Sequence, residues 1–223
     1  MTVQLVLALE PRETFARESF VVGSTNAGAV AFIESWPDWR VPAAVLHGPA
    51  GSGKSHLAAI WQQLSGAKSI VASDIASVVL FDRPLVIEDV DSQSDDEGFA
   101  RALILALERA SLAAPLLLTG REQPSLWPCA LPDLASRYAA LPDFALWTPD
   151  DALLGAIARK LFADRQLAVP EAAIDRMLHS LERTPGAIRA FVAEVDCRAL
   201  AESRPVDPAL IRVMLAERDR RLS

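Results

Sequence analysis

Cysteine and histidine are scarce. The 223 residues hold two cysteines, Cys129 and Cys197, and three histidines, with no CxxC and no Cys/His grouping. That excludes a thiolate zinc site and a disulfide scaffold, and suits a reducing cytosol. An excess of positive charge is also missing. Lys and Arg number 22 against 29 Asp and Glu, a net charge of −7. A broad electropositive face for duplex DNA is therefore not expected. Long apolar runs are absent. Stretches such as Ala43-Ala44-Val45-Leu46 fall far short of the ~20 residues a spanning helix needs. The N-terminus has no basic leader, and Glu10, Arg12 and Glu13 follow its short apolar stretch, so it does not read as a signal peptide. What is plentiful is apolar surface. Hydrophobic residues make up 51% and charged residues 23%, enough for a core and against global disorder. The length suits one large α/β domain, or one domain plus a small one.

Apolar segments alternate with amphipathic ones over the first two thirds of the chain. Ala43–Leu46, Ser69–Ala72, Leu85–Ile87, Leu116–Leu118 and Phe144–Leu146 read as strands, the first apolar throughout, as a strand covered on both faces should be. Ser24, Thr25 and Asn26 can each cap a helix through Ala31, Phe32 and Ile33. Leu57, Ile60, Trp61 and Leu64 recur at i, i+3, i+4 and i+7, one stripe of a helix, and Phe99, Leu103, Ala106, Leu107 and Ala110 have similar spacing. This β-α alternation predicts a parallel sheet with helices on both faces. After Trp147 no strand is expected. Helical patterns fit 150–165, 171–182, 186–201 and 207–220, separated by Pro170, Pro185 and Pro205. The expected organisation is a tail over 1–14, an α/β domain over 15–147 and a small helical domain over 148–223.

Gly48-Pro49-Ala50-Gly51-Ser52-Gly53-Lys54-Ser55 matches G-x-x-x-x-G-K-[ST] at every required position. It follows an apolar strand and opens an amphipathic helix, the context this phosphate-binding motif needs. The glycines let backbone N–H groups turn toward phosphate oxygens. Lys54 brings charge to the β and γ oxygens, and Ser55 offers a hydroxyl to Mg²⁺. Leu85-Val86-Ile87-Glu88-Asp89 fits the partner strand whose acidic end meets Mg²⁺ and the attacking water, with Glu88 as the metal-side acid. The order is the reverse of the Asp-then-Glu common in such ATPases. Displacing metal and water by about an ångström costs ~10²-fold, so slow intrinsic hydrolysis is expected. His47, beside the loop, reads as packing.

With these residues in hand, the chain resembles the AAA+ ATPases of the DnaA group, and within them the short Hda-like regulators. Phe15-Ala-Arg-Glu-Ser-Phe-Val-Val-Gly-Ser-Thr-Asn26 is similar to the family's adenine-cradling entry. Pro132-Asp-Leu-Ala-Ser-Arg137 is similar to its "P-D-L-x-S-R" box, and Thr184-Pro-Gly-Ala-Ile-Arg189 to its sensor-2 helix. Near the N-terminus, Gln4-Leu5-Val6-Leu7 is similar to the peptide by which Hda-like proteins dock on the sliding clamp. There Leu5 and Leu7 would fill an apolar pocket while the Gln4 amide orders one end. A packed edge strand or amphipathic tail is the plainer reading of the same residues.

The resemblance implies an AAA+ αβα sandwich with a five-stranded parallel sheet in order 5-1-4-3-2 and a helical lid. ADP or ATP with Mg²⁺ would sit between the domains. Phe20, Val21, Val22, Gly23 and Asn26 would lie at the base, Gly48–Ser55 and His56 at the phosphates, Thr119 as sensor 1 and Arg189 as sensor 2. Arg137 would be an arginine finger acting on a neighbouring subunit. Otherwise it is a surface arginine paired with Asp133 one turn earlier. The chain ends at Ser223, so the DNA-binding helix-turn-helix domain of DnaA is not expected. The implied partners are DnaA, the DNA polymerase sliding clamp and, as an option, a second copy of the chain in a homodimer. DNA is met only indirectly, no membrane is involved, and the location is cytoplasmic. The implied role is to stimulate hydrolysis of DnaA-bound ATP. The competing readings are a free-standing P-loop ATPase or kinase, and a DnaA-like initiation adaptor lacking the usual DNA-binding domain.

Overall fold

The structure is a computed structural model that describes residues 15–77, 81–93, 95–202 and 204–222. The chain divides into two compact units, Phe15–Thr148 and Pro149–Ser223. The first runs α1 (Ala27–Glu34), β1 (Ala43–His47), α2 (Lys54–Ser65), β2 (Lys68–Val71), β3 (Leu85–Glu88), α3 (Glu97–Arg109), β4 (Leu116–Gly120), α4 (Pro132–Ala140) and β5 (Asp143–Ala145). All strand pairs are parallel, in the order β2-β3-β4-β1-β5. Read from the other edge this is 5-1-4-3-2, the order the family resemblance implied.

The two faces of the sheet follow from side-chain alternation. Val45, Ile87, Leu116 and Leu118 pack with Leu103 of α3 and Tyr138 of α4. Their neighbours Ala44, Leu46, Val86 and Leu117 pack on the other face with Leu57 and Trp61 of α2. Strands β1 and β4 are buried at every position because both faces are covered. Each fully buried Leu contributes roughly 1.5–3 kcal/mol relative to exposure, which makes these central strands the rigid base of the unit. Leu46 pairs with Thr119, His47 with Gly120, and Ile87 with Leu118. The carboxyl ends of β1, β3 and β4 therefore finish side by side, the usual place for a ligand in an open α/β sheet.

Some boundaries differ from expectation. Strand β2 starts at Lys68 and stops at Val71, and Ala72–Ser77 turns into a 3-10 helix. Strand β5 ends at Ala145, one residue short of Leu146. Helix α4 was not flagged by periodicity; Pro132 opens it at a position where a missing N–H costs nothing. Of the three candidate caps for α1, Asn26 holds the position, but its side chain serves the preceding turn. It accepts from the Gly23 N–H at 2.9 Å and donates to the Val21 carbonyl at 3.0 Å.

The second unit is helical: α5 (Asp151–Asp164), α6 (Glu171–Ser180), α7 (Pro185–Ala201) and α8 (Pro208–Leu222). Asp150 caps α5 through the Leu153 N–H at 2.7 Å, and Thr184 caps α7 through the Ala187 N–H at 3.1 Å. Leu154, Phe162, Met177, Phe191 and Val195 lie in its core. Among the described residues no helix is long and apolar enough to cross a membrane.

Candidate functional site

The loop between β1 and α2 has the shape its glycines permit. Gly48 sits at φ +151°, and a Cβ there would fall 2.0 Å from the Leu146 carbonyl oxygen. Gly53 sits at φ +103°, with a would-be Cβ 3.1 Å from the ring of Phe20. Neither position accepts another residue without displacing backbone or an aromatic. Lys54 opens α2 and folds back over the loop, its Nζ donating to the carbonyls of Gly48 at 2.6 Å and Pro49 at 3.0 Å. It is a buried ammonium, and burial pushes its pKa below the ordinary lysine value. Asp89 and Asp91 pull the other way, while Arg121 adds to the lowering. Ser52 Oγ is buried with no hydrogen-bond partner among the described residues. Pro49, Ala50, Gly51 and Ser55 are exposed around it.

The acidic strand end is more divided than the sequence suggests. Glu88 turns toward the neighbouring strand, where it accepts from Ser69 Oγ at 3.1 Å. Asp89 adopts a left-handed backbone, φ 55° and ψ 44°, an uncommon and strained state for a non-glycine residue. Its N–H donates to Thr119 Oγ1 at 3.1 Å. Thr119 is buried, so its hydroxyl ties β4 to the end of β3. One step further out, the Arg121 N–H donates to Asp91 Oδ2 at 2.8 Å. The charges that bias Lys54 thus come from Asp89, Asp91 and Arg121. The reading of the sequence missed Asp91 and Arg121. Their signal was positional, each lying two residues beyond a flagged one.

The donors here suit Mg²⁺. The Ser55 hydroxyl and the Asp89 and Asp91 carboxylates are hard oxygens. Magnesium in phosphate-loop sites takes one or two protein oxygens and completes its shell with phosphate and water. Among the described residues there is no group of three or more His, Cys, Asp or Glu side chains placed to hold a metal ion.

The entry segment packs on the loop helix. Phe20 lies against Gly53, and His56 stands edge-on to both Phe15 and Phe20, with ring centroids 5.3 and 5.1 Å away. His56 Nε2 is 3.3 Å from Ser19 Oγ and from the Ala16 carbonyl. These contacts of His56 run to the entry segment. Val22 is half exposed and Asn26 is buried. Trp147, which the sequence marked only as a domain boundary, joins this corner: it is 63% exposed, and its backbone N–H donates to the Thr25 carbonyl at 3.0 Å. His47 is buried, with Nε2 2.8 Å from Asp143 Oδ2, in keeping with a packing role.

Arg137 lies on α4 and is ion-paired. Its Nη2 reaches Glu108 Oε1 at 2.8 Å and its Nε reaches Asp133 Oδ2 at 3.1 Å. The predicted Asp133 pairing is present, joined by a second acid from α3. Arg189 lies on α7, four residues after Pro185, in the helical unit. Gln4, Leu5 and Leu7 lie outside the described residues.

A parallel 5-1-4-3-2 sheet, a phosphate loop after its β1 strand and a helical unit that follows in the chain define the AAA+ P-loop NTPase fold. Solved structures agree. Domain III of the replication initiation protein DnaA from Thermotoga maritima superposes with a TM-score of 0.76 at 17% identity, covering 91% of this chain and 96% of that one. AMPPCP-bound DnaA from Aquifex aeolicus gives 0.72 at 17% identity over 86% of this chain and 67% of that one. The RuvB Holliday junction branch migration motor of Thermotoga maritima gives 0.64 at 15% identity over 85% and 66%. At these identities the likeness concerns the fold. No protein-family model and no curated protein sequence matches the chain.

Proposed function

We propose that this chain is a DnaA-related, Hda-like regulator of replication initiation. It binds ADP or ATP with Mg²⁺ and, together with the DNA-loaded sliding clamp, stimulates hydrolysis of DnaA-bound ATP. The observation that carries the reading is the complete phosphate loop, with its buried lysine, in a unit that also holds Arg137 on α4. Loop amides and Lys54 hold the phosphates, and the segment Phe20–Gly23 with Asn26 shapes the base side; Arg189 keeps the sensor-2 role that the family resemblance implies. Ser55 and Asp89 would hold Mg²⁺, which would supply charge neutralisation at the phosphates, while Glu88 stays with Ser69. Arg137 exchanges Glu108 and Asp133 for the γ-phosphate of the neighbouring DnaA subunit, where a finger arginine is worth 10³–10⁵-fold. The tail residues Gln4, Leu5 and Leu7 dock on the clamp.

Single-turnover hydrolysis by ATP-loaded DnaA, with clamp-loaded DNA present, tests this. The unsubstituted chain is expected to accelerate the reaction and Arg137→Ala to abolish the acceleration while ADP still binds. Arg137→Lys rescues little, because an ammonium lacks the guanidinium fork. Equal stimulation by Arg137→Ala would remove the finger and shift weight to a free-standing ATPase.

A further inference from the structure

Helices α6 and α8 of the helical unit border a groove of about 430 Å³, at the small end of ligand clefts. Its floor is apolar, with Ala173 and Ile211 buried there. Its walls stand open because the residues on them are small. Ala172 lies on one side and Pro208 and Ala209 on the other, all three exposed. One turn further along each helix comes an exposed arginine, Arg176 after Ala172 and Arg212 after Pro208. Residues four apart share a helix face, so each wall reads as a small residue followed by a cation.

The charges of this unit leave those two arginines over. Arg159 holds Glu171, Arg183 holds Asp151, Arg198 holds Glu202, Arg204 holds Asp207 and Arg218 holds Glu194. Among the described residues neither Arg176 nor Arg212 closes an ion pair, although acids outnumber bases in the chain. Asp207, the acid on the groove wall, is already engaged. It accepts from the Leu210 N–H at 2.7 Å and from Arg204 Nη2 at 3.1 Å. Two guanidinium groups therefore flank an apolar floor with no carboxylate of the described chain to take them. Carboxylates suit the arginines and an aliphatic side chain suits the floor. Single-stranded nucleic acid would call for aromatic platforms under its bases, and the lining of this groove has none.

We propose that the α6–α8 groove is a docking site for a short acidic segment of a partner protein, an aliphatic side chain flanked by carboxylates that Arg176 and Arg212 clamp. Docking there requires no nucleotide. The probe is the synthetic peptide acetyl-Glu-Leu-Leu-Glu-amide, titrated into the full chain and followed by NMR at the methyl groups of Ala172, Ala173 and Ala209. Saturable shifts at these methyls are expected, weakening as salt screens the charges. Arg176→Ala and Arg212→Ala should each weaken binding about 5-fold, the scale of one exposed ion pair, and about 20-fold together. Ala209→Trp should abolish binding by filling the groove while both arginines remain. The Gln-Leu-Leu-Gln peptide should bind about 20-fold more weakly than its acidic counterpart. All three substituted positions are exposed, so an unchanged urea midpoint certifies that each variant is folded. Equal binding of the acidic and neutral peptides, undiminished binding by the double arginine variant, or no shift at millimolar peptide overturns the proposal. So does oligo-dT that shifts the same methyls more tightly than the peptide, which would assign the groove to nucleic acid. Shifts that follow protein concentration alone would assign it to a second copy of the chain and overturn the proposal too.

Discussion

Lys54 carries the sharpest conflict in the molecule. Its ammonium is buried against two carbonyls and opposed by Arg121, so the folded protein holds the proton less tightly than the unfolded chain, whose lysine titrates near 10.5. Between the lowered folded value and 10.5 the unfolded state binds more protons, so stability rises with pH across that window. Below it both states are protonated and the burial penalty is fully present. Urea unfolding at a series of alkaline pH values should show this rise in the nucleotide-free protein and not in Lys54→Ala. The same variant should lose nucleotide affinity, because the loop keeps its amides but no longer supplies the charge. A parallel pH response in protein and variant would mean the ammonium is solvated rather than buried. Glu88 and Asp89 show a second residue-scale lesson. The reversed acid order was visible in the sequence, but that Glu88 would turn to Ser69 and leave the loop side to Asp89 and Asp91 was not, since it depends on which strand lies beside β3.

At the scale of elements, helix starts are written in single residues. Asp96, Asp150 and Thr184 each accept from an N–H three residues on, at 2.6, 2.7 and 3.1 Å, and each relieves one orphan donor of the first turn. Alanine at any of them should cost about 0.5–2 kcal/mol in chemical denaturation, and glycine only a few tenths. A zero cost at Thr184 would mean Pro185 alone starts α7. Asp150 and Thr184 explain why α5 and α7 could be placed within two residues from the sequence, where polar starter and apolar stripe agree; α6 follows Pro170 with no side-chain cap and was legible from the proline and its stripe. Helix α4 was harder. It has nine residues and buries Leu134 and Tyr138 against α3 and Trp127, so its apolar stripe is too short to show a period. The strands were legible because both faces are covered and they read as apolar runs. Strand order was not legible from periodicity, which is local, and came through the family resemblance. The entry turn was half legible. Asn26 was recognised as a polar starter, yet its side chain closes the preceding turn.

For the molecule as a whole, a residue that acts on a partner must be dispensable at home. Arg137 is 33% exposed and its acids Glu108 and Asp133 are 48% and 62% exposed, so its ion pairs are worth at most about 1 kcal/mol. Arg137→Ala should therefore unfold within about 1 kcal/mol of the unsubstituted chain in urea, which separates loss of the proposed stimulation from lost structure. A larger destabilisation would make the arginine a structural strut. The placement of the tryptophans has an optical consequence. Trp39 and Trp61 stack with centroids 4.7 Å apart and planes 2° from parallel, and Trp36 meets both edge-on. Packed together, they should emit at shorter wavelength than an indole in water, as should the buried Trp127 set edge-on to Tyr138. Trp147 alone of the five indoles is mostly in water, pinned to the turn that leads into the proposed base site. The red edge of the intrinsic emission therefore belongs to that one corner. Trp147→Phe should strip it while leaving the near-ultraviolet dichroism of the stacked pair, and added nucleotide should shift it in the unsubstituted chain alone, so the protein carries its own dye at the mouth of the site it is proposed to use.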